Sequence, residues 1–267
     1  MAGHDETIRR EFAKQAGSFE DPDYAFADRR LMRWILTHVP CQAGSLVLDV
    51  AGGTGHLARA YAAEAGLAVV ADLTPEMLAA GKRQSEAEGR RNVMFVCADA
   101  AGLPFLAETF DLVVSRFAAH HFEQPALVFA EMARVCRAGG RVGIVDLVAA
   151  DASLASEHDR FERLRDPSHT QALPADELAR LLKEVGLEVI GRTERDQPVP
   201  IERWLSQAQA PPEVGETVRE ALAAELDGGA PTGMRPHIRD GELYQTQRWA
   251  ILVAAKTGAG DRPDGRC

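Results

Sequence analysis

The stretch Leu46-Val-Leu-Asp-Val-Ala-Gly-Gly-Thr-Gly55 decides the fold: a short β-branched apolar run, an acid at its end, then three glycines leading into the helical stretch His56–Ala63. Glycines allow a tight turn and close approach of the backbone to a ligand, and the N-terminus of the following helix offers free N–H donors. A nucleotide-like ligand fits this loop. Gly53-x-Gly55-x-x-Ala58 satisfies the relaxed dinucleotide fingerprint, and Asp72 follows Gly53 by 19 residues, near the spacing of a ribose-binding acid. The loop alone therefore leaves NAD and other adenosine cofactors open.

Asp49, at the mouth of the first strand, discriminates between them. A pyrophosphate over this loop would meet a like charge, whereas a cofactor presenting an ammonium and a sulfonium would be attracted. S-adenosylmethionine has both groups.

Outward from this stretch, short strands alternate with amphipathic segments: Leu46–Asp49, Leu67–Ala71, Val93–Cys97, Asp111–Ser115, Arg141–Asp146 and Leu187–Gly191. This rhythm predicts an α/β fold, a Rossmann-like doubly wound sheet of seven strands. The last, Gln247–Ala255, is expected to run antiparallel beside Leu187–Gly191. Thr74 reads as an N-cap before Pro75, and Glu177–Val185 as a helix that stops at Gly186. Residues 1–44 precede the sheet as an N-terminal helical cap or lid, residues 45–256 form the main domain, and residues 257–267 read as a disordered tail. Asp151–Leu173 and Asp196–Gly241 read as irregular, the latter containing a helical Val214–Leu226.

The 267 residues carry 30 Lys+Arg against 40 Asp+Glu, a net charge of −10, with 46% hydrophobic content. Such a chain can bury a sizeable core, and its acidity argues against nucleic-acid partners and against an anionic membrane surface. Cys41, Cys97, Cys136 and Cys267 have neither CxxC pairing nor histidines at ligand spacing, so no metal site is expected. A charged N-terminus and the lack of a long apolar run predict a cytoplasmic protein, with a homodimer left open.

The glycine-loop stretch resembles the first motif of class I S-adenosylmethionine-dependent methyltransferases, and its Ala-Gly-Gly-Thr-Gly form resembles the ubiquinone/menaquinone C-methyltransferase group. The resemblance continues through Ala71–Leu78, Ala98–Phe105, Thr109–Val114 and Arg134–Arg141, in the family's order. Ala51 replaces the first glycine of the commoner loop, and Ala138 stands where a proline is frequent.

The resemblance implies that S-adenosylmethionine is the cofactor, with S-adenosylhomocysteine as its product. The loop residues Asp49, Ala51, Gly52, Gly53 and Gly55 would hold it, Asp72 would accept both ribose hydroxyls, and Leu73 and Met77 would flank the adenine. Asp99 would accept from the adenine amine, with the Ala100 N–H on a ring nitrogen. Ser115 and Arg116, leaving the fourth strand, are candidates for its methionine end. His120 and His121 are the candidate catalytic bases on the following loop, with His169 a third. Phe19, Tyr24, Phe26 and Arg165 are the candidate acceptor contacts, the first three on a lid spanning residues 12–26. The expected reaction is methyl transfer to an oxygen, nitrogen or carbon of a small molecule, quinone-like or a secondary metabolite. An NAD-dependent oxidoreductase and a cofactor-binding protein without methyl transfer are the alternatives.

Overall fold

Apolar runs with buried side chains on both faces pair as neighbours in a parallel sheet. The computed structural model, which describes residues 3–20 and 29–257, shows this for β1 (Leu46–Val50), β2 (Leu67–Asp72), β4 (Phe110–Arg116) and β5 (Cys136–Val148), with β3 (Val93–Cys97) the partly exposed parallel strand at the rim. Beyond β5 the sheet turns antiparallel through β8 (Glu242–Ala255), with β6 (Glu188–Pro200) outside it. The order is β3-β2-β1-β4-β5-β8-β6. The seven expected strands are present, and an eighth, the three-residue β7 (His237–Arg239), pairs with β8.

Helices cover both faces. Leu48, Val50 and Val113 enter one core with Phe129 and Met132 of α5 (Pro125–Val135) and Leu178 and Leu182 of α7 (Ala175–Glu184). Val47, Val70 and Val114 enter the other, with Leu31 and Ile35 of α2 (Arg29–His38) and Leu57 and Tyr61 of α3 (His56–Tyr61). Burial of these side chains, at about 1.5–3 kcal/mol each, is the main force holding the layers together. α4 (Pro75–Ala87) starts at Pro75, but Thr74 makes no side-chain cap; Asp72 Oδ1 accepts the Thr74 N–H at 2.8 Å instead.

Two segments expected to be irregular are ordered elements. Within Asp151–Leu173 lies α6 (Ala155–Arg165), whose buried side chains are His158, Asp159, Phe161 and Glu162. A mostly polar inner face gives no apolar period, which is why it reads as a connector. In Asp196–Gly241, β6 runs on to Pro200, followed by α8 (Ile201–Gln207) and α9 (Pro212–Leu226). The β6–β8 ribbon outruns β5, whose pairing with β8 stops at Val148↔Arg248. A third core on it joins Phe161, Trp204, Leu205, Val218 and Leu222.

The N-terminal region divides in its duties. α2 packs on the sheet, whereas α1 (His4–Gln15) lies over the carboxyl ends of the strands. Tyr24, Phe26 and residues 258–267 of the expected tail lie outside the described residues. Among the described residues, no helix is long and apolar enough to cross a membrane.

Candidate functional site

A cavity of about 320 Å³ opens at the carboxyl ends of β1, β2 and β4 under α1. Asp49, Ala51, Gly52, Gly53, Asp72, Leu73, Met77, Asp99, Ala100 and Arg116 line one end. His120, His121 and Arg165 line the other, and Phe19 belongs to the roof. Gly55, Ser115 and His169 do not line it, which separates them from the other site candidates. Gly55 (φ 75°) precedes α3, and a methyl group on it would come within 2.7 Å of Val70. Ser115 is buried in β4, and His169 lies behind His120 with ring centroids 5.5 Å apart, its Nε2 2.8 Å from Asp159 Oδ1.

The loop after β1 is shaped by its acids. A methyl group on Gly52 would sit 2.7 Å from the Asp49 carboxyl carbon, and one on Gly53 (φ 58°) 2.9 Å from Met77 Cε. Ala58 N–H donates to Asp49 Oδ2 at 3.1 Å, and Gly53 N–H to Asp72 Oδ2 at 2.7 Å. The helix donor, expected to be free, and the loop donor beside it are therefore both taken by the protein's own carboxylates. A pyrophosphate would find occupied N–H groups and negative charge, so the arrangement opposes a dinucleotide.

The same arrangement suits a cationic group. Asp49 is 1% exposed and its Oδ1 is buried without a hydrogen-bond partner. Burial pushes its carboxyl up to about 7, against the opposing pull of Arg116. Arg116 is itself pushed down to about 10 by burial, with Asp49 partly restoring it. Asp72 is raised by burial, opposed by the Thr74 and Gly53 N–H bonds. Asp99 is exposed on the far side, with Oδ1 accepting the Ala101 N–H at 2.8 Å. An orphaned buried carboxylate oxygen and a glycine cradle fit the ammonium and sulfonium of S-adenosylmethionine.

At the other end the decisive residue is one that sequence reasoning missed. Asp146, 1% exposed in β5, accepts from His120 Nδ1 at 2.5 Å through Oδ1, which also takes the Leu147 N–H at 2.6 Å. Its Oδ2 accepts the N–H groups of Ala118 and Ala119 at 3.1 and 2.6 Å, fixing the loop that carries His120. Burial works against the His120 imidazolium, but Asp146, joined by Glu162 and Asp166, outweighs it and the pKa is raised above 6.5. Thr170 N and Oγ1 hold the His120 carbonyl at 2.8 and 2.7 Å. Phe117, at φ 51°, is a bulky residue in the left-handed region at the start of this loop.

His121 is 7% exposed, with Nδ1 3.0 Å from the Ser168 carbonyl oxygen, and burial then His120 push it down to about 3. The roof adds further residues that the sequence did not single out: His4, Asp5, Ile8, Phe12 and Gln15 of α1. Phe12 meets His121 edge-on at 5.1 Å, and His4 Nε2 bonds the His121 carbonyl at 2.8 Å. Phe19 packs with Ala16 and Met77. Arg165 is anchored by Nε to the Trp204 carbonyl at 2.8 Å and Nη1 to Glu162 Oε2 at 3.2 Å. Among the described residues no cluster of three or more His, Cys, Asp or Glu is placed to hold a metal ion.

Comparison with known proteins bears on this geometry. A family model described as a methyltransferase domain matches residues 48–144, ending two residues before Asp146. The chain is 29% identical over 201 residues to the uncharacterized methyltransferase YcgJ of Bacillus subtilis, covering 75% of this chain and 79% of that protein. It is 39% identical over 119 residues to a demethylmenaquinone methyltransferase of Renibacterium salmoninarum, covering 44% of this chain and about half of that relative (48%). The crystal structure of BH2331 from Bacillus halodurans C-125 superposes with a TM-score of 0.78 at 27% identity, covering 85% of this chain and 99% of that one.

Proposed function

We propose that this chain, which belongs to the class I S-adenosylmethionine-dependent methyltransferases, methylates a hydroxyl oxygen of a small molecule with His120 as the base. The observation that carries the choice of oxygen is the buried Asp146 bonded to His120 at the cavity wall. A neutral hydroxyl is a weak nucleophile, and a base of near-neutral pKa within reach raises its reactivity. Asp146 holds the proton on Nδ1, leaving the Nε2 lone pair as the base, and stabilises the imidazolium that forms. The hydroxyl proton passes to Nε2 as the oxygen–carbon bond is made.

S-adenosylmethionine supplies a methyl group on a cationic sulfur that leaves as a neutral thioether. The chain's part is to hold and align. In this reading Asp72 takes the ribose hydroxyls, Asp99 and the Ala100 N–H the adenine edge, and Asp49 with Arg116 the amino-acid end. α1 and Phe19 exclude water from above.

The test is methyl transfer from labelled S-adenosylmethionine to a panel of phenols and sugars, with product identification. His120→Gln is expected to lower turnover by about 10²–10⁴-fold while S-adenosylhomocysteine affinity stays within about twofold. Wild-type turnover in His120→Gln would overturn the base assignment.

A further inference from the structure

We propose that His121 recognises a second hydroxyl adjacent to the one methylated, so that the acceptor is a vicinal diol, of the catechol or sugar type. This rests on the reading of His120 as the base and extends it to substrate class. The two consecutive imidazoles both line the cavity, with centroids 4.2 Å apart and planes tilted by 43°.

Their tautomers follow from their partners. His121 Nδ1 lies 3.0 Å from the Ser168 carbonyl oxygen, which can only accept, so Nδ1 carries the hydrogen. Ser168 Oγ lies 3.1 Å from the same nitrogen, but its own hydrogen goes to Asp166 Oδ1 at 2.5 Å. It therefore presents a lone pair to the Nδ1–H and cannot reverse the tautomer. Nε2 of His121 is left as a bare lone pair with no protein partner among the described residues.

The ring also stays neutral. Burial, His120 and His169 all oppose a charge on it; Asp166 and the Ser168 carbonyl favour one and are outweighed. From α1, Phe12 packs against the ring and His4 bonds the residue's carbonyl. A histidine held this low cannot act as a second base. It can accept one hydrogen bond.

The wall therefore offers two neighbouring acceptors of different strength: His120 Nε2, which takes a proton, and His121 Nε2, which takes only a hydrogen bond. A substrate with hydroxyls on adjacent atoms satisfies both. A monohydroxy substrate leaves His121 desolvated and unpaired, and such a group costs binding free energy. Once one oxygen is methylated, the monoether cannot rebind reversed, because its ether oxygen would set a lone pair against that of His121. A single methylation per diol follows.

The experiment uses the full chain saturated with S-adenosylhomocysteine, with catechol, cis-1,2-cyclohexanediol, phenol and 2-methoxyphenol as probes. Calorimetry is expected to show catechol binding at least about tenfold more tightly than phenol or 2-methoxyphenol, and His121→Phe to abolish that gap. Imidazole ¹⁵N spectra of the wild type should show His121 as the neutral Nδ1–H form from pH 6 to 8, with Nε2 shifting on addition of catechol. These spectra decide the matter if His121→Phe does not fold. Equal binding of catechol and phenol, a gap surviving His121→Phe, an Nε2–H tautomer, or no binding of either diol would each overturn the proposal. His120→Gln should retain the catechol preference, so failure of the base assignment remains distinguishable from failure of this one.

Discussion

Arg59 grips Glu20 with both terminal guanidinium nitrogens, Nη1 to Oε1 at 3.1 Å and Nη2 to Oε2 at 2.7 Å, tying the segment behind α1 to α3. Arg59 is buried, and its other carboxylate, Glu88, stands 3.5 Å from Nε. Glu20→Ala should therefore release the roof. Expected outcomes are faster hydrogen exchange across residues 4–20, faster dissociation of S-adenosylhomocysteine, and a loss of stability of about 1–3 kcal/mol, limited by the remaining Glu88 contact. Unchanged protection of α1 would show that its own packing, through Phe12 and Phe19, suffices to hold it.

The His120–Asp146 pair gives a pH dependence of defined sign. Because His120 is raised above 6.5 and acts in its neutral form, kcat/KM should climb through an acid limb lying above 6.5. Asp146→Asn removes the charge that favours the imidazolium, so the limb should move to lower pH while turnover falls by about 10²–10⁴-fold. A rate–pH profile on the variant, with cofactor affinity measured alongside, checks both parts. A limb that stays in place would mean that another group sets it.

Cofactor binding should release protons. Asp49 is raised from 3.8 to about 7 in the ligand-free protein, so neutral conditions leave it partly protonated. The cationic cofactor favours its carboxylate, and affinity should rise with pH through about 7. Calorimetry in buffers of different ionisation enthalpy reads the release, and Asp49→Asn should abolish it. In the free protein the same shift makes stability decline as pH rises from 3.8 toward about 7, because the unfolded chain loses this proton first.

Ala51 sits at φ 52°, where a Cβ is strained and glycine is not. Ala51→Gly should stabilise the protein by about 0.5–1 kcal/mol, the strain relief being partly offset by the greater freedom of glycine in the unfolded chain. For a chain of this size that is a melting-temperature rise of about 1–4 °C. A fall would show that the alanine methyl makes packing contacts worth more than its strain.

The glycine-loop end of the candidate site was legible because its groups lie on local signals. Asp49, Asp72 and Asp99 each follow an apolar run, and parallel strands buried on both faces announce themselves as such runs. The histidine end was not. Asp146 reads as one more residue finishing a strand, and only the β4–β5 register, with Arg116 opposite Val145, sets it beside His120. Nothing local tells α1 which surface to cover. The outer half of β6, charged at Arg192, Glu194 and Asp196, is a half-exposed edge whose pattern imitates a loop.

The position of β8 bears on how the protein is made. β8, the latest strand in chain order among the described residues, lies inside the sheet, between β5 and β6, rather than at its rim. Until residues 242–255 leave the ribosome, the Val142–Val148 edge has no partner on that side and β6 has no neighbour in the sheet. The nascent chain thus carries an open, apolar strand edge while residues 149–241 are made, the condition under which chaperones are recruited and aggregation begins. Loss of β8 would leave β6 without a strand partner in the sheet, held only through α7 and the core around Phe161, while the glycine loop could still form.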